Sequence, residues 1–380
     1  MPPIKTFRIP LSVTVIAIIA SFILGGPEVG LIVVLLTILE ISISFDNAIV
    51  NAHILKRMNE KWQQIFLTWG ILIAVFGMRL VFPIVIVAAA AGLSIPDVLD
   101  QAFNEQELYA KNLEEANATI AAFGGMFLLM VFLNFFFDSD KEGHWLPPIE
   151  RPIAGVGSIT SITPAIASAA LLVLATFVSP EMKEDVLYAG LAGLVVYLVV
   201  SGVAERLEPD DDEDEEEEEA AAAAPPTDYG TGPSGAQAAA AAAAATAKGG
   251  LAYFLYLEVL DATFSFDGVI GAFAISKDII VIAVGLGLGA LYIRTLTVYL
   301  VRQGTLAKYR YLEHGAHYAI GVLAVLLFIS AEVHVPEAIT GTIGALLILG
   351  AFFSSVRANR QEEEEQGGGA DTPDQDLAKV

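Results

Sequence analysis

The chain has no cysteine among its 380 residues. Disulfides, thiolate nucleophiles and thiolate metal sites are therefore excluded. Basic residues are scarce: 20 Lys and Arg stand against 44 Asp and Glu, a formal net charge of −24. No nucleic-acid partner is expected from so acidic a chain. Catalytic signatures are missing too. There is no His-Glu-x-x-His, no Gly-x-Ser-x-Gly and no phosphate-binding glycine loop before a lysine. No catalytic and no cofactor-binding residue is assigned, and the expectation is a protein that is not an enzyme and holds no permanent cofactor. A small-residue cleavage site is also lacking after the first apolar run. Residues 8–26 pass straight into a second apolar run, so they read as a retained helix and not a signal peptide.

Apolar sequence is abundant. Hydrophobic residues make up 55% of the chain, and its mean hydropathy is positive. Runs of about 20 apolar residues recur, enough to cross a hydrocarbon core of roughly 30 Å. Backbone polar groups in lipid must be satisfied within the segment, so such spans are helical. The expected fold class is all-α, a polytopic transmembrane helical bundle of about ten spans. They are read at 9–26, 28–55, 62–92, 119–138, 160–178, 185–205, 249–276, 279–302, 314–331 and 337–356. The chain divides into a membrane half at 1–207, an acidic Ala-, Gly- and Pro-rich linker at 208–250, a second membrane half at 251–357 and an acidic tail at 358–380. Linker and tail compositions cannot build a packed core, so both are expected to be disordered. Acid blocks of this kind are usually solvated. They fit the acidic surface of a halophile's protein, with a cation-gathering antenna as the other reading.

Lys and Arg set the expected orientation. With the N-terminus in the cytoplasm, Lys56, Arg57, Lys61, Lys141, Arg151, Arg206, Lys248, Arg302 and Arg357 fall inside, and only Lys111, Lys183 and Lys277 fall outside. Both termini are then cytoplasmic in a multi-pass protein of the plasma membrane. Arg79 and Arg294 fit neither side, since each sits within an apolar span. A charge at mid-membrane costs roughly 2.5–3.5 kcal/mol on the mildest scale, so each arginine should face inward and have a partner.

The second and seventh spans share a pattern. One reads Leu39-Glu40-Ile41-Ser42-Ile43-Ser44-Phe45-Asp46-Asn47, the other Leu260-Asp261-Ala262-Thr263-Phe264-Ser265-Phe266-Asp267-Gly268. Both contain Ser-Phe-Asp with an acid six residues earlier, and the next span of each carries the lone arginine. On the expected topology the copies are inverted, with the first at about 28–138. Inverted units with polar, interrupted helices mark transporters. Six residues turn a helix by about 600°, which leaves paired acids about 240° apart. Convergence therefore requires a break, for which Ser42, Ser44, Thr263, Ser265 and Gly268 are suited, or a site between helices. Glu40, Asp46, Glu258, Asp261 and Asp267 outnumber two arginines, so the surplus must be protonated or bind a cation. Simple pairing of acids with Arg79 and Arg294 is the structural alternative. Carboxylates with the Asn47 amide are hard ligands, suited to Mg²⁺, Ca²⁺ and Mn²⁺.

These segments, with Tyr311-Leu312-Glu313-His314-Gly315-Ala316-His317-Tyr318-Ala319-Ile320-Gly321, resemble the TerC superfamily of integral membrane proteins, and specifically its branch labelled as a domain of unknown function. The resemblance runs from about Leu36 to Phe353 apart from the linker. It implies kinship with tellurium-resistance membrane proteins and Mn²⁺ exporters. It also implies that Glu40, Asp46, Asn47, Asp261 and Asp267 are metal ligands, to which the residues themselves add Glu258. The expected function is transport of a divalent cation, Mn²⁺ first, by export and with proton coupling; the partners are the lipid bilayer, the cation and protons. Two other classes stay open: a non-transporting membrane sensor or partner protein for metal or envelope stress, and a metal-dependent membrane hydrolase.

Glu313, His314 and His317 form a second candidate site, for a metal or a proton relay, because Glu313 and His317 are four apart and share a helix face. Polar anchoring at the membrane interface is the plainer reading. Asp138, Asp140, Glu142 and His144 cluster after the fourth span, where charged helix ends are ordinary. Gly285, Gly287 and Gly289 read as helix packing through small residues.

Overall fold

The structure, a computed structural model, describes residues 6–56, 58–70, 72–138, 143–155, 161–206, 235–333 and 335–368. Among these there is no strand; every regular element is a helix. The N-terminal half opens with α1 (Arg8–Ile43) and α2 (Phe45–Lys56). Next come α3 (Glu60–Ile65), two π-helical stretches, π1 (Phe66–Gly70) and π2 (Ile73–Val81), and α4 (Phe82–Ala91). Two short polar helices, α5 (Ile95–Asn104) and α6 (Gln106–Glu115), lead to α7 (Asn117–Phe137), α8 (Pro147–Ala154), α9 (Ile162–Phe177) and α10 (Lys183–Arg206). The C-terminal half holds α11 (Gly235–Ile275), α12 (Ile279–Arg302), α13 (Thr305–Lys308), α14 (Leu312–Ser330) and α15 (Glu337–Gly368).

Among the described residues six helices are long and apolar enough to cross a membrane: α1, α7, α10, α12, α14 and α15. A seventh is formed if the pair Glu60–Gly70 and Ile73–Ala89, bent by 45°, is one span. The chain is therefore a multi-pass membrane protein. The count differs from the expected ten for local reasons. The spans expected at 9–26 and 28–55 are divided otherwise: α1 runs through both, bent at Gly26, and a new helix starts after Ser44. The span expected at 160–178 is a 16-residue helix, about 24 Å long and short of the hydrocarbon core. The span expected at 249–276 belongs to α11, which carries Glu258, Asp261 and Asp267.

The bend in α1 is sharp. Gly26 sits at φ 82°, ψ 179°, just ahead of Pro27. That conformation favours glycine, and proline lacks the donor that would continue the ladder. A Cβ placed on Gly30 would lie 2.5 Å from the Phe22 ring. On a straight helix those residues stand about 12 Å apart, so the two arms of α1 fold back on each other. Linker and tail also end differently from expectation. Residues 235–250, within the expected disordered linker, begin α11, and α15 extends to Gly368 in the expected tail. Alanine and glutamate are good helix formers, and a helix needs no packed core of its own. The remainder of the linker, 208–234, lies outside the described residues.

The core gathers around α7, which packs on α10 and α14, while α12 packs along α1, α2 and π2. Apolar side chains left exposed, such as Leu24, Leu198 and Phe353, line outer helices where lipid is the solvent. Outside the spans Tyr109 of α6 is buried against Phe273, and burial raises its hydroxyl above the ordinary value and keeps it neutral.

The glycine run of α12 explains how closely its neighbours approach. A Cβ on Gly285 would lie 2.5 Å from Leu36, one on Gly289 2.5 Å from Glu40, and one on Gly287 2.9 Å from Val75. Gly285 and Gly289 thus face α1, and Gly287 faces π2. Gly289→Leu is expected to destabilise the fold by about 1–3 kcal/mol through overpacking, read as a lower midpoint of thermal unfolding in detergent. An unchanged midpoint would show that α1 and α12 have room to part.

Candidate functional site

Glu40 lies on the last turn of α1 and is 1% exposed. The helix breaks four residues later. The backbone N–H of Ser44 still bonds the Glu40 carbonyl at 3.0 Å, but Ser44 leaves helical geometry at φ −90°, ψ 16°. Its hydroxyl donates to Glu40 Oε1 at 3.1 Å. The expected break in the first motif is thus present at Ser44, whereas α11 runs unbroken through Thr263 to Gly268.

Arg79, on π2, is 5% exposed. Its Nη2 donates to Glu40 Oε1, and its Nη1 to the Ala74 carbonyl at 2.7 Å. In the second copy Glu258 and Asp261 are three residues apart and share a face of α11. Both hold Arg294 of α12, whose Nη2 lies 3.1 Å from Glu258 Oε1 and 2.5 Å from Asp261 Oδ2. Arg294 is 2% exposed, and its guanidinium carbon stands 3.8 Å over the Phe66 ring of π1, a cation–π contact in a dry setting. Each arginine therefore contacts the first acid of its own motif, Glu40 or Asp261.

The motifs also reach across to each other. Asn51 Nδ2 of α2 donates to Asp261 Oδ1 at 2.6 Å. A Cβ on Gly268 would meet Glu40 Oε2 at 3.2 Å. Residue 40 thus lies beside 268 and residue 51 beside 261, so the two stretches run antiparallel. Gly70 admits the second ion pair in the same way, since its Cβ would stand 3.0 Å from Glu258 Oε1. Asn47 is buried on α2. Asp46 on the first turn of α2 and Asp267 on α11 have side chains outside the described residues, as does the distance between their carboxylates.

Several polar atoms here are buried without a hydrogen bond: Glu258 Oε2, Arg294 Nε and Nη1, Arg79 Nε, Asn51 Oδ1 and Ser265 Oγ. Unmade bonds of this kind each cost about 1–3 kcal/mol, and they are what a bound ion or water would repair. Among the described residues no group of three or more His, Asp or Glu side chains is disposed to hold a metal, because Glu40, Glu258 and Asp261 are turned toward arginine. A ligating set at this place therefore has to include Asp46 or Asp267.

The second candidate site is not one constellation. Glu313 turns its carboxylate to His53 of α2, at 2.9 Å from Nδ1. His317 Nδ1 meets the Glu313 backbone carbonyl at 2.9 Å, not the carboxylate. His314, about 100° around the helix from Glu313, points to Glu150 of α8 at 3.5 Å and to the Gly143 carbonyl at 3.2 Å. The expected convergence of Glu313, His314 and His317 on one ion is thus replaced by two carboxylate–histidine pairings. Of the cluster after the fourth span, Asp138 caps α7, His144 lies 3.3 Å from Glu150, and Asp140 and Glu142 lie outside the described residues.

Sequence reasoning missed Asn51, Phe66, Gly70, Glu150 and the contacts of His53 and His144. A signal existed for Asn51, one helical turn after Asn47. Glu150, in a short segment after two prolines, offered none.

The two motifs, the arginines and the His-Glu segment together span most of the chain, and one family model covers all of them except the start of the first motif. Described as "Protein of unknown function (DUF475)", it matches residues 45–362. The chain belongs to this DUF475 family. No curated protein and no solved structure matches the chain. The family match begins at Phe45, so Asp46, Arg79, Glu258, Asp261, Asp267 and Arg294 lie inside it and Glu40 lies just before it. In this DUF475 protein a cavity of about 600 Å³ opens beside the last turns of α11, where Ile270 and Phe273 meet Glu114, Glu115, Lys277 and Glu332.

Proposed function

We propose that this DUF475 protein is a plasma-membrane transporter of divalent cations, with Mn²⁺ export as its first assignment and proton exchange as its coupling. The observation that carries this reading is the charge balance at the antiparallel motifs. Three buried carboxylates, Glu40, Glu258 and Asp261, already occupy both arginines. The sequence adds Asp46 and Asp267 to the same motifs, and among the described residues Arg79 and Arg294 are the buried Lys or Arg side chains. Intramembrane acids in surplus over their partners are characteristic of ion pathways. The ligand set is hard oxygen, which favours Mn²⁺, Mg²⁺ or Ca²⁺ over soft ions. Carboxylates that bind metal in one state and a proton in the other would couple the two flows.

In this reading the motifs are the centres of two inverted units. Thr37 of α1 bonds the Gly285 carbonyl of α12 at 3.1 Å, and Glu40 packs against Gly289, so the second arm of α1 runs parallel to α12. Counting both arms of α1, the bent pair, α11 and the short α9 with the remaining spans would give ten crossings, and an even number leaves both termini on one side, which the Lys and Arg bias of the loops assigns to the cytoplasm in this reading.

The test is flux in proteoliposomes holding the purified full chain, with Mn²⁺, Ca²⁺, Mg²⁺ and Zn²⁺ compared. Mn²⁺ movement above that of empty liposomes is expected. Absence of flux for every ion would leave the sensor reading, and hydrolytic turnover without flux would favour the hydrolase.

A further inference from the structure

The sequence has five histidines, and four of them meet at one end of the bundle, away from the mid-membrane acids. His53 comes from α2, His144 precedes α8, and His314 and His317 lie on the first turns of α14. They are joined by two carboxylates. Glu313 reaches His53 at 2.9 Å, and the His53 and His317 rings stand edge to face with centroids 5.9 Å apart. His317 is sandwiched against Phe135 at 3.7 Å. Glu150 is 0% exposed and lies between His144, at 3.3 Å, and His314, at 3.5 Å. Its other oxygen accepts from the Leu146 N–H at 2.9 Å and the Tyr318 hydroxyl at 3.4 Å. Phe135 contacts both units, edge-on to His314 and face-on to His317.

Among the described residues the remaining charged and titratable groups around this end are few. Lys56 of α2 acts on Glu313 electrostatically, Asp138 ends α7, Arg151 follows Glu150 on the exposed side of α8, and Tyr311 stands 6.2 Å from the His314 ring. α15 meets the same end through Ala351 and Ser355, which carry no charge. The described contacts of Glu150 and Glu313 therefore match carboxylate to histidine, the one side chain whose charge ordinarily changes between about pH 5 and 8.

We propose that this end is a proton-binding site made of two carboxylate–histidine units, His53–Glu313 and His144–Glu150–His314, whose protonation sets the contacts of α14 with α2 and with α8. Its ligand is the proton. A proton arriving from water resides on an imidazole beside an ionised carboxylate, which turns a charge–dipole contact into an ion pair. The consequence for the acid centre follows from α2. His53 lies two residues beyond Asn51, which holds Asp261, and about 10 Å along the helix from Asp46. Strengthening the tie of α2 to α14 thus acts on the helix that carries half of the centre. Only this last consequence rests on the transport reading; the proton site does not.

The experiment uses the full chain in detergent with nitrogen-15 histidine and follows the ring signals by NMR across pH. Glu313→Gln is expected to shift the titration midpoint of His53 by roughly one to three pH units, the effect of one adjacent charge, and to leave His144 in place. Glu150→Gln should do the converse, and Tyr318→Phe, which removes only a hydroxyl from Glu150, serves if that variant does not fold. Unmoved midpoints, or no histidine titrating in the unmodified protein, would overturn the proposal and leave a polar brace. In proteoliposomes His53→Gln should shift the pH profile of Mn²⁺ flux with ion preference unchanged. If the unmodified protein carries no ion, the transport reading fails while the NMR result still decides the proton site.

Discussion

Asp46→Asn and Asp267→Asn are each expected to abolish Mn²⁺ movement while the protein stays folded in the membrane. Asn keeps the size and one oxygen ligand but removes the negative charge. One unit charge acting at 4 Å with an effective dielectric of 20 amounts to about 4 kcal/mol, or roughly a thousand-fold in affinity. A divalent cation feels the loss twice over. The residues are singled out because the other motif acids are committed elsewhere: Glu40 to Arg79, and Glu258 and Asp261 to Arg294. Asp138→Asn, at the end of α7, is the control, and its flux should stay close to that of the unmodified protein. Initial rates in proteoliposomes with matched protein content measure the effect. Unmodified rates in either motif variant would remove that residue from the site and leave pairing with arginine as the whole account of the buried acids.

Arg294→Met is expected to cost about 3–5 kcal/mol of folding stability, because it leaves two carboxylates buried without their cation. Arg294 is 2% exposed and contacts Glu258, Asp261 and the Phe66 ring together, so no rotation brings it or its partners to water. The companion variant combines Arg294→Met with Glu258→Gln and Asp261→Asn. Removing all the charges of a buried cluster is often close to neutral, so the triple variant should regain most of the lost stability and still fail to move Mn²⁺. Unfolding midpoints in detergent give the first quantity and flux gives the second. A single variant as stable as the unmodified protein would mean that the carboxylates take up protons at no cost, and the ion pair would then be structurally idle.

Much of this protein is legible along the chain. Apolar runs force helices because lipid offers the backbone no partner. Arg79 and Arg294 announce their own burial, since a charge in an apolar span must be paired. The six-residue spacing of Glu40 from Asp46 and of Asp261 from Asp267 marks the two motifs, and Ser44 marks the break in the first. The boundaries were less visible. The sequence placed a span boundary between residues 26 and 28, and the contact of Phe22 with Gly30 shows that the two arms fold back there without ending α1. The alanine run before Gly250 was expected to be disordered because its composition builds no packed core, yet it is helical because helix propensity needs none.

What no reading of the chain could supply is which distant groups meet. Asn51 reaches Asp261 across 210 residues, and Glu313 turns to His53 and not to the histidine one turn along its own helix. Glu150 had no local pattern, and its role comes entirely from His144, His314 and Tyr318 closing around it. The physical reason is the same in each case. Helical periodicity states which residues share a face and what each face requires, a partner for a charge or lipid for a leucine. The choice of partner depends on how closely helices approach and at what rotation, and Gly70, Gly268 and Gly289 set that by having no side chain to hold α1, α11 and α12 apart.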